Sequence, residues 1–434
     1  MIWDVRNECM SADERQAIQI QRLRAMLGRV KAVVPFYSRI LTEADVNPQD
    51  IKSLDQLSQL PFTVKDALRE SYPYGMFAVP FEEVVRVHLS SGTTGKPTAV
   101  GYTKADIALW ADSIARTLCG GGAVPGDILQ NAYGYGMFTG GLGLHYGGET
   151  LGTAVLPMSA GNSKRQVMVM QDFGTTLLAC TPSYALRLAE VATEMGVDPA
   201  TLSVRSAYLG AEPWTTPMRD EIQQHLGCKA FNIYGLSEVI GPGVSFECEH
   251  QNGSHINEDH FIPEIVDPNT GAPLPDGQEG ELVFTCVTKQ CLPLLRYRTR
   301  DVCSLTHDLC DCGRTTAKMT RVTGRTDDMF IIRGINVYPS QIEAVLLSFE
   351  EVAPHYLIQV DRKGALDQLA VQVEIAPEYF TDRVGELENL SRRIREEIES
   401  VLAIALDVQL VEPKSIERTE GKAQRVKDNR RLSQ

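Results

Sequence analysis

Apolar residues recur along this chain at two alternating periods. Between residues 83 and 240, short β-branched runs of buried-strand length alternate with stripes spaced three and four apart, the period of an amphipathic helix. Residues 83–89, 127–132, 175–180, 206–210 and 229–233 read as strands. Thr103 with Asp106 three positions on marks a helix start, and Ile107, Trp110, Ala111, Ile114 and Leu118 supply its apolar stripe. A helix over about 182–195 stops at Gly196, and another starts at Thr216-Pro217 and ends near Gly227. Residues 11–41 are helical with an interruption at Pro35, and Thr63-Val64-Lys65-Asp66 precedes a short helical stretch. Strands alternating with helices predict mostly parallel sheets covered by helices.

The pattern changes twice more. Residues 260–306 are rich in Pro, Gly and short strands, which predicts a smaller β unit. A boundary is expected near Gly324-Arg325-Thr326-Asp327-Asp328. Beyond it come a helix from Ser340, strands near 355–360 and 369–375, a charged helix over about 383–402 and a strand near 407–411. That is a compact α+β module of domain size. The fold class is therefore α/β, with a large N-terminal domain (1–326) and a small C-terminal α+β domain (327–434).

Candidate chemistry falls between these elements. Ser90-Ser91-Gly92-Thr93-Thr94-Gly95-Lys96-Pro97 follows the strand at 83–89. Glycines let backbone N–H groups approach a ligand, hydroxyls donate to phosphate oxygens, and lysine adds a cation. The stretch is not a Walker loop, because two residues separate Gly92 from Gly95 and Pro97 follows Lys96. Gly210-Ala211-Glu212-Pro213 and Tyr234-Gly235-Leu236-Ser237-Glu238 also follow predicted strands, where ligands bind in parallel α/β sheets. Val239 excludes a nucleophile elbow around Ser237.

Composition narrows the function classes. The 434 residues carry a formal charge of −14, which disfavours nucleic acid and anionic membranes as partners. The start of the chain reads as no signal peptide and no stretch as a membrane span, so a cytoplasmic location is expected. Ten cysteines at irregular spacing do not read as a secreted disulfide framework. Cys310-Asp311-Cys312 is a tight pair, with Cys248 and His255 upstream. Three thiolates and an imidazole would complete a tetrahedral structural zinc site, His255 being preferred to His250.

Several separated stretches resemble one family in order: the Ser90–Pro97 loop, Tyr234–Glu238, Glu258-Asp259-His260-Phe261, Arg296-Tyr297-Arg298-Thr299-Arg300-Asp301, Gly324–Asp328, Ile331–Glu343 and Gly421-Lys422. Together they are similar to the phenylacetate–CoA ligase family of adenylate-forming enzymes, over nearly the whole chain. The resemblance implies a reaction in two halves. A carboxylate attacks the α-phosphorus of ATP to give an acyl adenylate and pyrophosphate, and coenzyme A then displaces AMP.

The resemblance also implies roles. Ser91, Gly92, Thr93, Thr94, Gly95 and Lys96 would hold the β- and γ-phosphates, and Glu238 would bind magnesium. Tyr234 would pack on adenine, Ala211, Glu212 and Pro213 would border the base, and Gly235 would belong to the same ATP site. Asp301 would accept from the ribose hydroxyls, its bland alternative being a salt bridge to Arg298 or Arg300, and Arg325 would lie near ribose or phosphate. Asp327 would be the domain hinge, Arg333 and Gly334 would line the pantetheine path, and Lys422 would be the adenylating lysine. Tyr133, Phe138, Ile233 and Pro242 would wall an aromatic acid. Leu144 stands where the resemblance leads us to expect a smaller residue, which narrows the pocket and leaves the acid open. Some members carry the Cys/His zinc site, and relatives are often homodimers. Two further readings are kept: an adenylating nucleotidyltransferase of the deazaflavin-coenzyme type, which does not use coenzyme A, and a nucleotide-binding regulator without turnover.

Overall fold

The computed structural model describes residues 1–89, 97–137, 139–326, 330–332, 335–363, 366–381, 383–402, 404, 406–418 and 425–429. Helices α1 (Val5–Glu8), α2 (Ala12–Val33), α3 (Pro35–Glu43) and α4 (Lys65–Glu70) open the chain. Ser11 and Glu14 form a capping box on α2, and Pro35 sits in the first turn of α3, where its missing N–H costs nothing. Strands β1 (Arg86–Leu89) and β2 (Ala99–Tyr102) pair antiparallel, with Leu89 opposite Ala99. The glycine-rich loop therefore joins the two strands of a hairpin. The expected strand–loop–helix order lacked β2, whose four buried residues, Ala-Val-Gly-Tyr, are too few to register as a period. Helix α5 (Lys104–Gly120) follows, with the Thr103/Asp106 capping box in place.

The large sheet is built from β3 (Ile128–Asn131), α6 (Gly140–Leu151), β4 (Ala154–Leu156), α7 (Ser163–Phe173), β5 (Leu177–Cys180), α8 (Pro182–Glu194), β6 (Ser206–Leu209), α9 (Thr216–Leu226) and β7 (Lys229–Leu236). It continues through β8 (Gly241–Glu247), β9 (Ser254–Ile256), β13 (Leu305–Thr306) and β14 (Lys318–Met319). Its order is β13-β14-β9-β8-β7-β6-β5-β3-β4. The half from β4 to β7 is parallel, as the alternation predicted; from β7 to β13 it is antiparallel. Strand β7 runs on through Leu236, so Tyr234 and Gly235 lie within the strand end rather than after it. The cap of α9 is Thr215, one residue before the expected Thr216.

A second sheet, β10 (Phe261–Val266), β11 (Gly280–Cys286), β12 (Tyr297–Cys303) and β15 (Gly324–Arg325), is the small β unit. One hydrophobic core joins both sheets to the N-terminal helices, and a second packs α8 and α9 on the large sheet.

A separate core gathers Val337, Ile342, Leu346, Ile358, Val371, Ile394 and Ile398. Around it fold the hairpin β16 (Phe330–Ile332) and β17 (Ile335–Val337), helix α10 (Pro339–Leu346), strands β18 (Val352–Lys363) and β19 (Leu366–Ile375), helix α11 (Val384–Leu402), and strands β20 (Asp407–Val411) and β21 (Val426–Asp428). Its sheet runs β20-β19-β18-β21. No helix among the described residues is long and apolar enough to cross a membrane.

Candidate active site

Beyond the carboxyl ends of β6 and β7 lies a cavity of about 150 Å³, lined by Ala211, Glu212, Pro213, Ile233, Tyr234, Gly235, Asp301 and Arg325. The chain reaches it through two glycines that nothing larger replaces. A Cβ on Gly210 would lie 2.2 Å from the Ile233 carbonyl oxygen, and one on Gly235 would lie 1.8 Å from that of Gly241. Ala211 takes a left-handed φ of 70°. The buried Glu212 carboxylate accepts from the Ser183 N–H at 2.7 Å, which ties this turn to the start of α8.

On the opposite wall the Tyr234 hydroxyl donates to Asp301 Oδ2 at 2.6 Å, and Arg325 donates to Oδ1 at 3.1 Å. Both Asp301 oxygens are thus oriented. Burial and the Asp301 charge push the Tyr234 phenol well above its ordinary pKa, so it remains a donor. Arg298 and Arg300 pair with Glu281 instead, at the far side of β12.

Trp214, Asn232, Arg321 and Val322 also line the cavity, although the sequence did not single them out. The Trp214 indole donates to Asn232 Oδ1 at 2.8 Å, and the guanidinium carbons of Arg219 and Arg321 lie 5.1 and 5.3 Å from its ring centre. No local signal marks these residues; the crossing of β7 with the loop before β15 brings them together.

Glu238 follows β7. Its carboxylate is buried, 3.2 Å from the Lys65 ammonium, and accepts from the Thr98 hydroxyl at 3.4 Å. Its backbone is held from beneath. Lys289, fully buried, donates to the carbonyls of Val239 at 2.9 Å and Glu238 at 3.4 Å, and its ammonium sits 4.4 Å over the Tyr102 ring. Tyr102 in turn donates to the Ile240 carbonyl at 2.9 Å. Burial pulls the Lys289 ammonium below its ordinary pKa.

Among the acid-pocket residues, Tyr133 and Ile233 are buried, and Leu144 has no exposed surface at all. The Tyr133 ring lies against Gly140, and the Pro242 carbonyl accepts from the Trp110 indole at 2.7 Å. Ser91, Gly92, Thr93, Thr94, Gly95, Lys96, Phe138, Asp327, Arg333, Gly334 and Lys422 lie outside the described residues.

A second constellation sits between β9 and the 310–312 turn. Ligand atoms of Cys248, His255, Cys310 and Cys312 all lie within 4.8 Å of one another. Cys248 and Cys310 Sγ are 3.7 Å apart, and Cys312 Sγ is 3.4 Å from His255 Nε2. A tetrahedron with ordinary zinc–sulfur bonds has a sulfur–sulfur edge of about 3.8 Å. His255 Nδ1 lies 3.3 Å from the Thr316 hydroxyl, a second partner that leaves Nε2 for a metal. Hydrogen bonds from Cys248 and His255 hold the Cys312 thiol well below its ordinary pKa. The donor set and its edges fit zinc.

The small C-terminal domain docks on α8 and α9. Glu190 Oε1 lies 2.6 Å from His355 Nε2 and 3.6 Å from Arg418, Glu194 lies 2.8 Å from Lys414, and Arg425 reaches Met218 Sδ at 3.6 Å. Burial alone would raise the Glu190 pKa; the hydrogen bond and charge of His355, with Arg187 and Arg418, hold it at about 2.

Residues 17–287 match the AMP-binding enzyme family, and residues 334–430 match the AMP-binding enzyme C-terminal domain. A phenylacetate-coenzyme A ligase of Thermus thermophilus is 51% identical over 445 residues, covering 99% of this chain and 100% of that protein. The chain belongs to the phenylacetate–CoA ligase family of AMP-binding enzymes. In the crystal structure of a 2-hydroxyisobutyryl-CoA ligase in its postadenylation state, 32% identical, the chains superpose with a TM-score of 0.94 over 99% of this chain and 93% of that one. The same ligase in its thioesterification state, with equal coverage, gives 0.73. Sequence and coverage being equal, the difference lies in conformation. This family member has its domains arranged as in the postadenylation state.

Proposed function

We propose that this protein is an ATP-dependent aryl-acid CoA ligase acting on a phenylacetate-like acid through an acyl adenylate. The observation that carries the reading is Asp301, oriented by Tyr234 and Arg325, in a cavity lined by the end of β7 up to Leu236, two residues before the buried Glu238. Those groups suit a nucleotide: a paired acceptor for the ribose diol at one end and an oxygen ligand for a hard cation at the other.

Adenine would lie along Ala211, Glu212, Pro213 and Gly235 with Tyr234 against its edge, beside the tryptophan at 214. Glu238, supported by Thr98, would hold magnesium, which neutralises phosphate charge when bound. Ser91–Lys96 would hold the β- and γ-phosphates. A carboxylate oxygen of the acid attacks the α-phosphorus, the bond to the bridging oxygen breaks, and pyrophosphate leaves. The thiolate of coenzyme A then attacks the acyl carbon and AMP leaves. The protein's part is to position the reactants and neutralise charge. Lys422 would serve the first half-reaction. Residues 327–434 would rotate at Asp327 and bring Arg333 and Gly334 to the pantetheine arm. Tyr133, Phe138, Leu144, Ile233 and Pro242 would wall the acid, whose pocket the leucine at 144 narrows.

The test is one panel: purified protein, ATP, magnesium and coenzyme A with phenylacetate, benzoate, indoleacetate and short fatty acids, scored by thioester and AMP. Thioester from an aryl acid is expected. Adenylation without consumption of coenzyme A would favour the deazaflavin-type nucleotidyltransferase, and no ATP–pyrophosphate exchange with any acid would favour a regulator. Cys248, His255, Cys310 and Cys312 would bind zinc as a closed structural brace; one equivalent of zinc in protein prepared without chelators is expected, and its absence would remove the assignment.

A further inference from the structure

We infer that Lys65, on α4, is a second triphosphate-binding cation of the active site, parked on Glu238 while the site is empty. The inference rests on the proposed adenylation reaction and adds a residue that neither the motifs nor the comparisons assign.

Glu238 is buried, yet the Lys65 ammonium 3.2 Å from its Oε1 belongs to a side chain 35% exposed. The lysine thus covers the carboxylate from the open side of the site. The backbone leading to it is rigid. Two residues earlier, the Thr63 N–H donates to the Arg296 carbonyl at 3.1 Å, and the Arg298 N–H donates to the Thr63 carbonyl at 3.0 Å. The Thr63 hydroxyl adds a 2.6 Å bond to the Leu295 carbonyl. The segment that carries Lys65 is therefore stitched to the start of β12, the strand that carries Asp301. What can move is the four-carbon stem and its point charge, a flexible arm unlike the planar fork of arginine.

A divalent cation and an ammonium cannot both sit on one buried carboxylate oxygen, because like charges about 3 Å apart in a poorly solvated site repel strongly. Lys65 and Thr98 both address Oε1 of Glu238, and magnesium entering on either oxygen of that carboxylate weakens its hold on the ammonium. The nearest new anion is the triphosphate that arrives with the metal. The same arm then neutralises the departing pyrophosphate, where charge develops as the α-phosphorus bond breaks. In the empty site the pair keeps a buried carboxylate from standing uncompensated.

The test uses the full chain with Lys65→Met and Lys65→Arg. Calorimetry of ATP with saturating magnesium and without acid is expected to show Lys65→Met weakened by about tenfold, the range of a charge-assisted contact, with Lys65→Arg partly restored. The magnesium concentration at half-maximal pyrophosphate exchange should fall in Lys65→Met, because the carboxylate has lost its competitor. Thioester formation from preformed acyl adenylate, which carries no pyrophosphate, should stay within twofold of wild type. Wild-type ATP affinity in Lys65→Met, or an equal loss in both half-reactions, would overturn the inference. Should Lys65→Met fail to fold, Lys65→Gln is judged by the same readouts. Absence of acid-dependent exchange in the wild type would instead sink the ligase reading, and the acid-free ATP-binding measurement would still judge Lys65.

Discussion

The wall of the cavity that carries Asp301 and the seam between the domains are both held by charged groups, but of opposite character. At the wall, Asp301 is bound through both oxygens by a tyrosine and an arginine, and Glu238 sits on a backbone fixed by a fully buried lysine. At the seam, Glu190, Glu194, His355, Lys414 and Arg418 meet around a cleft of about 930 Å³. Removing one partner of a buried pair strands a charge and is costly, whereas a half-exposed pair trades readily for water and contributes about 0–1 kcal/mol. The contrast sets a firmly held cavity wall against a seam whose pairs trade readily for water. The TM-scores against two states of one ligase, 0.94 and 0.73, show that this chain matches one of that ligase's two domain arrangements better than the other.

The sharpest way to break the comparison is Lys422→Ala. Adenylation, followed by pyrophosphate exchange, is expected to fall by about 10²–10³, while thioester formation from supplied acyl adenylate continues. A variant that keeps wild-type exchange would remove Lys422 from the reaction.

Asp301→Asn tests the wall itself. It keeps the shape but removes the charge that Tyr234 and Arg325 address, so KM for ATP should rise about 10–100-fold, the worth of hydrogen bonds to a charged group. KM for the acid should change little. Equal changes in both constants would mean that the residue supports the fold rather than the nucleotide.

Glu190→Gln tests the seam. It weakens the contacts to His355 and Arg418, and the adenylating half-reaction is expected to slow by no more than about fivefold, with no slowing of the thioester step. A loss as large as that of Asp301→Asn would erase the distinction between the two regions.

The smallest effect is one of pH. Glu221, half-buried in the same cleft, has its carboxyl pushed up to about 7 by burial and by the Glu190 charge. A carboxyl whose pKa is higher in the docked pose than in water holds its proton more tightly there. The docked pose is therefore favoured below the ordinary carboxyl range, and that advantage is lost as pH rises through about 7. The ratio of adenylation to thioester formation should fall over that window, and Glu221→Gln should flatten the slope.

Local signals carried much of the fold into the sequence. The Thr103/Asp106 box, the stop of α8 beside Gly196 and the proline opening α3 are decided within a few residues, so they were readable. The antiparallel half of the large sheet was not, because β9, β13 and β14 are only two or three residues long and β8 opens on Gly241-Pro242-Gly243, which reads as a turn. The partner of Asp301 shows the same limit. Arg298 and Arg300 are its neighbours in sequence, but adjacent strand residues face opposite sides of a sheet. The ion pair forms with Arg325, opposite it on β15.

By itself the sequence determined the alternation of elements, the two-domain division it predicts and the order of the motifs that assign the family. These are properties of residues read a few at a time, and covalent order preserves them. The tertiary structure alone decided that Lys65 reaches Glu238, that Trp214 and Asn232 line the cavity beyond β6 and β7, and that α8 and α9 receive the small domain. Each of these depends on how distant segments pack, and burial, which sets the strength of every charge in the site, exists only once they have done so.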